Sequence, residues 1–496
     1  MGRAGISDRP DGGRDDARYG PPCASSAGWR GLSSFQWLAV AGAAGTAGAL
    51  VWFRPDLIAP LAVAGAAATF LTVSLWRVLL VMLSARPRGE PDPASAALPP
   101  YTVLVALHDE AEVMDQLVGR LARIDYPADR LQGLLILEAH DRQTIAAALA
   151  APRPAWLEIL IAPPGRPGTK PRALNCALPH VTGDLLTVYD AEDEPDPLQL
   201  REAAARFAAD ADGRLACLQA PLRIRRGRRG SGASPFLDRQ FAAEYASLFE
   251  TALPGMARLG LPFPLGGTSN HFRVDVLREV GGWDAFNVTE DADLGFRLWT
   301  RGWRLGVIRR PTWETPPGDL SDWLPQRARW LKGYMQTWGV HTRRPWRLGV
   351  RGVFALTMTV GAGVVSAAVH GPSLAWVAAT VLVAAMAGLT PGTPTLALTV
   401  LILGAGSAWL SCAIGARRAG VPYGLTDMVT APAYWALQSL AAAHAAWRLV
   451  REPFAWDKTR HRRDATTAEA TAHAMLDETA PNRLSAGHAA APQPVA

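Results

Sequence analysis

A chain of 496 residues is longer than one ordinary domain, and 49% of its residues are hydrophobic while only 19% are charged. This composition excludes a wholly disordered chain and a small disulfide-bonded scaffold. The four cysteines (Cys23, Cys176, Cys217 and Cys412) are scattered without metal-ligand spacing, which is typical of isolated thiols in a reducing compartment. Membrane helices joined to a sizeable water-soluble domain account best for this balance of hydrophobic and charged residues.

The charge distribution points to a membrane rather than to nucleic acid. The formal charge is +6, from 50 basic and 44 acidic residues, and all but three of the basic residues are arginines. These arginines flank apolar stretches, as basic residues do at the cytoplasmic edge of a membrane. We therefore expect a membrane partner and no nucleic-acid partner.

The amino-terminal region predicts an arm followed by two transmembrane helices. Residues 1–34 mix Arg, Asp, Gly and Pro without apolar periodicity, which predicts a disordered cytoplasmic arm. Within residues 35–83, the apolar stretches 35–53 and 57–83 are each long enough to cross a bilayer core about 30 Å thick. Arg77 is the only charge in the second stretch and lies toward its arginine-rich end, where its side chain can snorkel.

A Pro/Ala-rich linker is predicted at residues 84–100, and residues 101–345 then alternate short apolar runs with helical stretches. This alternation predicts an α/β domain with a mostly parallel sheet that binds ligands at the carboxyl ends of its strands. The predicted strands are 101–107, 134–137, 157–161 and 185–189, and the predicted helices are 111–124, 141–150 and 170–179.

The carboxyl-terminal third is apolar again and predicts a membrane region of about four helices over residues 346–447. An even number of crossings returns the basic interfacial segment 448–463 and the predicted disordered tail 464–496 to the cytoplasm. Because four crossings would place Arg417 and Arg418 outside, one segment is expected to lie flat or to re-enter. The expected protein is a multi-pass inner (plasma) membrane protein with its α/β domain in the cytoplasm. The four segments are 353–369, 374–389, 396–414 and 429–447.

Acidic residues cluster where the predicted strands end. Carboxylates grouped at one edge of a parallel sheet repel one another unless a cation compensates them, and Mg²⁺ or Mn²⁺ with a diphosphate would do so. Asp190 and Glu192 are the expected metal ligands. For Asp109 and Glu110, a solvated loop or a helix cap is the commoner structure, and that alternative stays open. The acidic residues are Asp109, Glu110, Glu138, Asp141, Asp190, Glu192 and Asp193.

Two further groups stand out on predicted helices. Lys170 stands at a predicted helix start, where an ammonium beside free backbone N–H groups makes an anion site, although a solvent-facing cap is an equal alternative. Gln326, Arg329 and Trp330 follow the i, i+3, i+4 spacing and would share one helix face.

Aromatic residues continue along the same predicted helix. Tyr334 and Trp338 are expected to mark the membrane interface. Packing or anchoring at that interface is also the alternative for Trp330.

The order of the motifs resembles the processive membrane glycosyltransferases of family 2, which include bacterial cellulose synthase catalytic subunits and hyaluronan synthases. The resemblance runs through nearly the whole soluble segment. The matching residues are Leu107-His108-Asp109-Glu110, Glu138 to Asp141, Lys170 to Asn175, Asp190-Ala191-Glu192-Asp193, Gly266-Gly267-Thr268-Ser269-Asn270, Thr289-Glu290-Asp291 and Gln326-Arg327-Ala328-Arg329-Trp330.

This resemblance implies a GT-A fold between amino- and carboxyl-terminal transmembrane helices. It implies inverting transfer of a hexosyl unit from a nucleotide-diphosphate sugar, expected to be a UDP-sugar, to a growing β-linked polysaccharide. An accessory export subunit would be a further partner. Single transfer to a lipid-linked acceptor is the alternative within enzymes. An inactive scaffold of the same fold is a third alternative, against which the presence of Asp291 and Trp330 counts.

The resemblance also assigns roles to individual residues. It implies that Arg329 is placed for the diphosphate and Trp330 for stacking on an acceptor sugar. Asp291 would act as general base on the acceptor hydroxyl, and its neighbour Glu290 would raise its pKa, although both also suit a helix cap. Glu192 stands where the family usually has the second Asp of an Asp-x-Asp pair, which leaves the metal ligands less certain. The residues implied to line the nucleoside pocket are Asp109, Glu110, Glu138 and Asp141.

Overall fold

The computed structural model describes residues 31–85, 98–225, 234–388 and 395–456. Most of the predicted arm and linker, and the whole predicted tail, lie outside the described residues. The helices are α1 (Ser34–Phe53), α2 (Ile58–Leu83), α3 (Met114–Leu121), α4 (Arg142–Ala150), α5 (Lys170–Ala177), α6 (Gln199–Ala208), α7 (Pro235–Ser247), α8 (Leu253–Arg258), α9 (Val274–Glu279), α10 (Glu290–Thr300), α11 (Leu320–His341), α12 (Gly349–Leu356), α13 (Ala362–Met386), α14 (Thr395–Ala419) and α15 (Leu425–Arg451).

A mixed, mostly parallel sheet forms the centre of the α/β domain. Its strand order is β3-β2-β1-β4-β8-β6-β9, and only β8 runs antiparallel to its neighbours. The ten described strands are β1 (Tyr101–Leu107), β2 (Leu131–Glu138), β3 (Leu157–Ala162), β4 (Leu185–Tyr189), β5 (Glu194–Pro195), β6 (Leu215–Gln219), β7 (Leu222–Ile224), β8 (Asn270–Arg273), β9 (Arg304–Val307) and β10 (Thr312–Glu314).

The predicted strands are confirmed. The apolar runs of β1, β2 and β4 are buried on both faces, as in a sheet covered by helices, whereas the edge strand β3 is partly exposed. β1 and β4 have the predicted bounds, and all five residues of β4 are buried. The parallel register sets Leu107 opposite Leu137 and Val105 opposite Tyr189, so the loops that follow these strands meet at one edge. A second, three-stranded sheet has the order β5-β10-β7. Its strand β5 follows the turn after β4, and its strand β10 ends at Glu314.

Three helical runs among the described residues are long and apolar enough to cross a membrane: Ser34–Phe53, Pro55–Leu83 and Gly349–Met386. The third run contradicts the prediction of about four carboxyl-terminal helices, because the segments 353–369 and 374–389 form one continuous helix through a π-helical turn at Thr357–Gly361. The helix continues past Pro372 because Ser439 of α15 inserts there. Its hydroxyl donates to the Ala367 carbonyl at 2.5 Å and accepts from the Gly371 N–H at 2.8 Å.

The continuous helix changes where the later arginines lie. α14 ends beside the α/β domain, where Arg418 donates to the Ser84 hydroxyl and to the Glu250 carbonyl, both at 2.7 Å. The awkward placement of Arg417 and Arg418 that follows from four crossings therefore does not arise. α15 also meets the domain at both ends, through Asp427 with Arg239 of α7 and through the Glu452 carbonyl with Lys332 of α11.

Candidate active site

A cavity of about 710 Å³ opens at the carboxyl ends of β1, β2 and β4 and extends between the apolar helices. Acidic and basic side chains from loops, helix starts and α11 line the part of the cavity next to the strand ends. The structure therefore brings together most of the residues singled out in the sequence. Those on the cavity wall are Glu110, Glu138, Lys170, Asp190, Glu192, Glu290, Asp291, Gln326, Arg329 and Trp330.

Asp109 and Asp141, for which the resemblance implies a place in the nucleoside pocket, are not on this wall. Asp141 caps α4, accepting the Thr144 N–H at 3.1 Å and the Asp109 N–H at 2.5 Å. Burial alone would raise the pKa of Asp141, but these hydrogen bonds outweigh it and lower the pKa. Asp141 therefore caps α4 and supports the loop after β1, while the wall beside it comes from His108 and His140.

Glu110 and Glu138 line the predicted nucleoside end of the cavity. The backbone N–H of Glu110 donates to the Thr144 hydroxyl at 2.9 Å, which fixes the loop after β1 against α4. Glu138, at the end of β2, lies 3.4 Å from the Arg172 guanidinium of α5. A carboxylate with a nearby guanidinium offers both an acceptor and a donor for the polar edge of a base or ribose.

Lys170 connects the acidic turn after β4 with the glycine loop. Its ammonium forms an ion pair with Asp190 and donates to the Gly267 carbonyl at 2.7 Å. Burial alone would lower the pKa of Lys170, but Asp190 and Glu290 outweigh it and raise the pKa, so the residue is a cation at neutral pH. The anion-site interpretation of Lys170 is thus supported over the solvent-facing cap, because the ammonium is turned toward the cavity.

Further carboxyl groups surround Asp190. Asp193 accepts the Asp190 N–H at 2.8 Å and the Thr268 hydroxyl, so it shapes the turn. Burial and the charges of Asp190 and Glu192 raise the pKa of Asp193 well above its usual range. Glu314, which the sequence analysis missed, lines the same wall, and burial and the three carboxylates of the turn likewise raise its pKa.

This donor set suits a divalent cation. Two wall carboxylates, Asp190 and Glu192, match the one or two that Mg²⁺ takes beside phosphate oxygens. One carboxyl oxygen of Asp193 is buried without a hydrogen-bond partner, so the turn contains an unsatisfied buried polar atom. Within the described ranges, no three His, Cys, Asp or Glu side chains form a complete metal-binding group by themselves.

Glu290 and Asp291 begin α10 and face the cavity. A Cβ added at Gly267 would lie 3.2 Å from an Asp291 carboxylate oxygen, so the glycine leaves room beside that carboxylate. Burial and Asp291 raise the pKa of Glu290 to about 8, against the effect of Lys170. Burial raises the pKa of Asp291 to about 6, although the Ala292 N–H and the nearby Lys170 and Arg329 oppose it.

Arg329 approaches the same carboxylates from α11. Its Nη1 lies 3.4 Å from the Val288 carbonyl and its guanidinium stacks 4.6 Å from the ring of Trp456. Its Nε is buried without a hydrogen-bond partner. Burial lowers the pKa of Arg329, while Glu290 and Asp291 counteract that effect. A guanidinium with spare donors on the cavity wall is suited to a diphosphate.

The shared face of Gln326, Arg329 and Trp330 is confirmed, since all three lie on α11 and line the cavity. The Trp330 ring also packs against other side chains, with Phe241 stacked at 6.0 Å and the Arg327 guanidinium 4.8 Å away. The indole therefore has face contacts with Phe241 and Arg327, while part of the side chain meets the cavity. Stacking on a sugar and structural packing are both compatible with this position.

Helices α10 and α11 are held together beneath the site. Asp293 accepts from Arg297 Nε at 2.6 Å and lies 2.9 Å from His341 Nε2, and all three side chains are buried. A Cβ added at Gly333 would clash with the Thr289 side chain at 2.3 Å. These contacts fix Asp291 relative to Arg329.

Several cavity residues have no clear signal in the sequence. Glu314 reaches the site through the pairing of β10 with β7, and Trp456 reaches it from the chain beyond α15. Tyr334 also lines the cavity, and its place at the membrane interface stays a prediction. Its spacing of four residues from Trp330, on the same helix face, is the signal that could place it on the cavity wall.

Comparison with known proteins finds similarity to glycosyltransferases. Residues 185–411 match the family model described as "Glycosyl transferase family group 2". The chain is 27% identical over 282 residues to the beta-monoglucosyldiacylglycerol synthase of a Synechocystis strain, covering 54% of this chain and 56% of that protein. It is 27% identical over 250 residues to the cellulose synthase 1 catalytic subunit of Komagataeibacter xylinus, covering 49% of this chain and 32% of that protein.

Residues 185–411 are thus similar to family 2 glycosyltransferases, and the resemblance seen in the motifs is confirmed. Its mixed, mostly parallel sheet is GT-A-like. The chain spans about half the length of the first curated relatives it matches. A solved structure of the mannosyltransferase PcManGT from Pyrobaculum calidifontis, in complex with GDP-Man and Mn²⁺, is 17% identical with a TM-score of 0.42, covering 71% of this chain and 96% of that chain.

Proposed function

We propose that the chain is an inverting glycosyltransferase that moves a hexosyl unit from a nucleotide-diphosphate sugar, expected to be a UDP-sugar, to an acceptor at the membrane. The observation that carries the proposal is the convergence of a carboxylate with a raised pKa, Asp291, and two cations, Lys170 and Arg329, on one cavity at the strand ends. Single displacement at an anomeric carbon needs a base on one side and charge compensation on the other.

The chemistry follows from these groups. Asp291 takes the proton of the acceptor hydroxyl while that oxygen forms a bond to the anomeric carbon. The bond between the anomeric carbon and the diphosphate oxygen breaks, and the nucleoside diphosphate leaves with the electron pair. Lys170 and Arg329 stabilise the charge that develops on the leaving group. With its pKa raised to about 6, Asp291 is largely ionised at pH 7 and is still basic enough to accept a proton.

The acidic turn would hold a divalent cation, Mg²⁺ or Mn²⁺. Asp190 and Glu192 would be its ligands, with Glu314 adding charge from the neighbouring sheet. When bound, the cation would supply positive charge to the diphosphate. The raised pKa of Asp193 supports this proposal, because it reflects, besides burial, repulsion among the carboxyl groups of the turn, which a cation would offset.

Two acceptors remain as proposals. A growing β-linked polysaccharide, with or without an export subunit, is supported by the Trp330 ring on the cavity wall. A lipid acceptor is supported by the extension of the same cavity between α2, the π-helical turn Thr357–Gly361 and α14, where apolar side chains line it. The proposed location is a multi-pass inner membrane protein with the domain in the cytoplasm, and the three apolar helical runs support membrane association.

The function is tested by incubating the purified, detergent-solubilised protein with a panel of radiolabelled nucleotide sugars and sizing the products. We expect one donor to label a membrane-associated product and Asp291→Asn to abolish labelling while nucleotide-sugar binding is retained. Asp115→Asn, on the exposed start of α3, is a control expected to behave as wild type. Turnover by Asp291→Asn at a near-normal rate would place the base elsewhere.

A further inference from the structure

The membrane end of the cavity carries hydrogen-bond donors that the proposed sugar transfer does not use. Trp76 and Arg77 of α2 both lie on its wall. The indole N–H of Trp76 is buried without a hydrogen-bond partner, and the ring is 9% exposed. Arg77 donates from Nη1 to the Ser407 hydroxyl of α14 at 3.0 Å, which satisfies only one of its five N–H groups.

Among the ion pairs of the described residues, none joins Arg77 to a carboxylate. Glu244, a carboxylate that also lines the cavity, is engaged by Arg327 at 2.7 Å and by the Tyr434 hydroxyl at 2.7 Å. A guanidinium within an apolar helix is costly unless an anion meets it, and such residues are functional sites by default.

The position of Arg77 suits the headgroup level of a membrane. It lies seven residues before Ser84, which meets Arg418 and the α/β domain, so the rise is about 10 Å along α2. Around it the wall is apolar, through Val73, Leu80 and Met358. Two π-helical turns, Leu248–Ala252 and Thr357–Gly361, border the same space, and π turns often mark binding sites.

We propose that Arg77 and Trp76 bind the phosphate of an acceptor lipid, whose headgroup enters the cavity from the membrane between α2 and the turn Thr357–Gly361. The inference rests on the proposed function and names its acceptor class. A neutral polysaccharide would leave Arg77 without a counter-charge, whereas a lipid phosphate supplies that charge and accepts the indole N–H. The apolar residues beside Arg77 then contact the lipid chain.

The test compares lipids that differ only in the phosphate. Binding of a short-chain isoprenoid monophosphate and of the corresponding isoprenoid alcohol to the full chain in nanodiscs of neutral lipid is measured by native mass spectrometry. We expect the phosphate to bind at least tenfold more tightly than the alcohol. Arg77→Gln should remove this preference and Arg77→Lys should restore part of it, while Arg54→Gln, an exposed arginine paired with Asp56, should keep it. Equal binding of phosphate and alcohol to the wild type would overturn the inference.

Two further arms complete the experiment. Trp76→Phe keeps the ring that packs 5.0 Å from Phe354 but lacks the N–H, and it should weaken phosphate binding several-fold even if Arg77→Gln fails to fold. Competition by phosphatidylglycerol but not by diacylglycerol would identify a bilayer phospholipid as the phosphate source, and its failure to compete would identify the isoprenoid phosphate. Nucleotide-sugar hydrolysis by the wild type is measured in parallel. Its absence refutes the proposed function, whereas hydrolysis without phosphate preference refutes only this inference.

Discussion

Replacing Asp291 with Asn should abolish transfer and at the same time stabilise the protein. The pKa of Asp291 is raised from 3.8 to about 6, by about two pH units, and each unit corresponds to 1.36 kcal/mol. The ionised carboxylate therefore costs the folded state up to about 3 kcal/mol at neutral pH. Asn has nearly the same shape and no charge, so it avoids this cost, and it also removes the repulsion with Glu290.

The sign of the effect depends on pH. Below about pH 4 the carboxyl is protonated in both the folded and the unfolded chain, so Asp and Asn should be equally stable there. Between about pH 4 and pH 6 the unfolded chain ionises first, and the folded wild type loses stability relative to the variant. Above about pH 6 the contribution of Asp291 itself is near its maximum, and the difference should grow further up to about pH 8, because Asp291→Asn lowers the raised pKa of Glu290.

Asp293 provides the matched control on the same helix. Burial alone would raise its pKa, but Arg297 and His341 outweigh burial and lower it, so its charge stabilises the fold. Asp293→Asn should destabilise the protein by about 3–5 kcal/mol, because it removes the carboxylate charge that compensates the buried Arg297 guanidinium. Thermal unfolding in detergent between pH 4 and pH 8, with transfer measured alongside, compares the two variants. If Asp291→Asn unfolds at a lower temperature than the wild type at pH 7.5, the account of Asp291 as a strained, ionised base is refuted.

Three further predictions concern the metal, the acceptor and the membrane. Removal of divalent cations with EDTA should stop transfer, and Mg²⁺ or Mn²⁺ should restore it; undiminished turnover in EDTA would contradict a cation at Asp190. Trp330→Ala should reduce transfer to the acceptor more than hydrolysis of the donor by water, since stacking is worth about 0.5–1.5 kcal/mol beyond burial. Trp330→Phe, which keeps an aromatic ring, should have a smaller effect. Equal losses of transfer and hydrolysis would favour packing alone. Tags at Met1 and Ala496 should both be cytoplasmic by protease protection, and a periplasmic tag at Ala496 would indicate an odd number of crossings after the domain.

The strands that carry the site are predictable because each is a short apolar run buried on both faces, so β1 and β4 have the bounds expected from the sequence. The side chains that follow such strands meet at one edge, which is why the order of strands and loops is enough to place Asp190 near Glu138. The role of Asp141 is not predictable to the same degree. A carboxylate after a strand can face the ligand or cap the next helix, and only the geometry of the Thr144 N–H distinguishes the two.

The membrane helices show a second limit of sequence patterns. Pro372 after Gly371 is a normal place for a helix to end, because proline lacks an N–H and disrupts the preceding turn. Ser439, 68 residues away from Gly371 in sequence, supplies the hydrogen bonds that allow α13 to continue. No local pattern near Pro372 encodes that contact, so the count of helices after the domain could not be obtained from hydropathy alone.

Contacts between residues distant in sequence also shape the candidate site beside the end of α15. Lys332 is 1% exposed, and its ammonium donates to the carbonyls of Glu452 and Ala455 at 3.2 and 2.7 Å. Burial lowers its pKa to about 8, so these carbonyls solvate a cation that is close to losing its charge. The contact positions Trp456 over Arg329, a residue three before Lys332 on the same helix. Arg329, which we propose binds the diphosphate, is therefore oriented by a contact that depends on backbone carbonyls more than a hundred residues away. The sequence motif around Arg329 contains no signal for that contact.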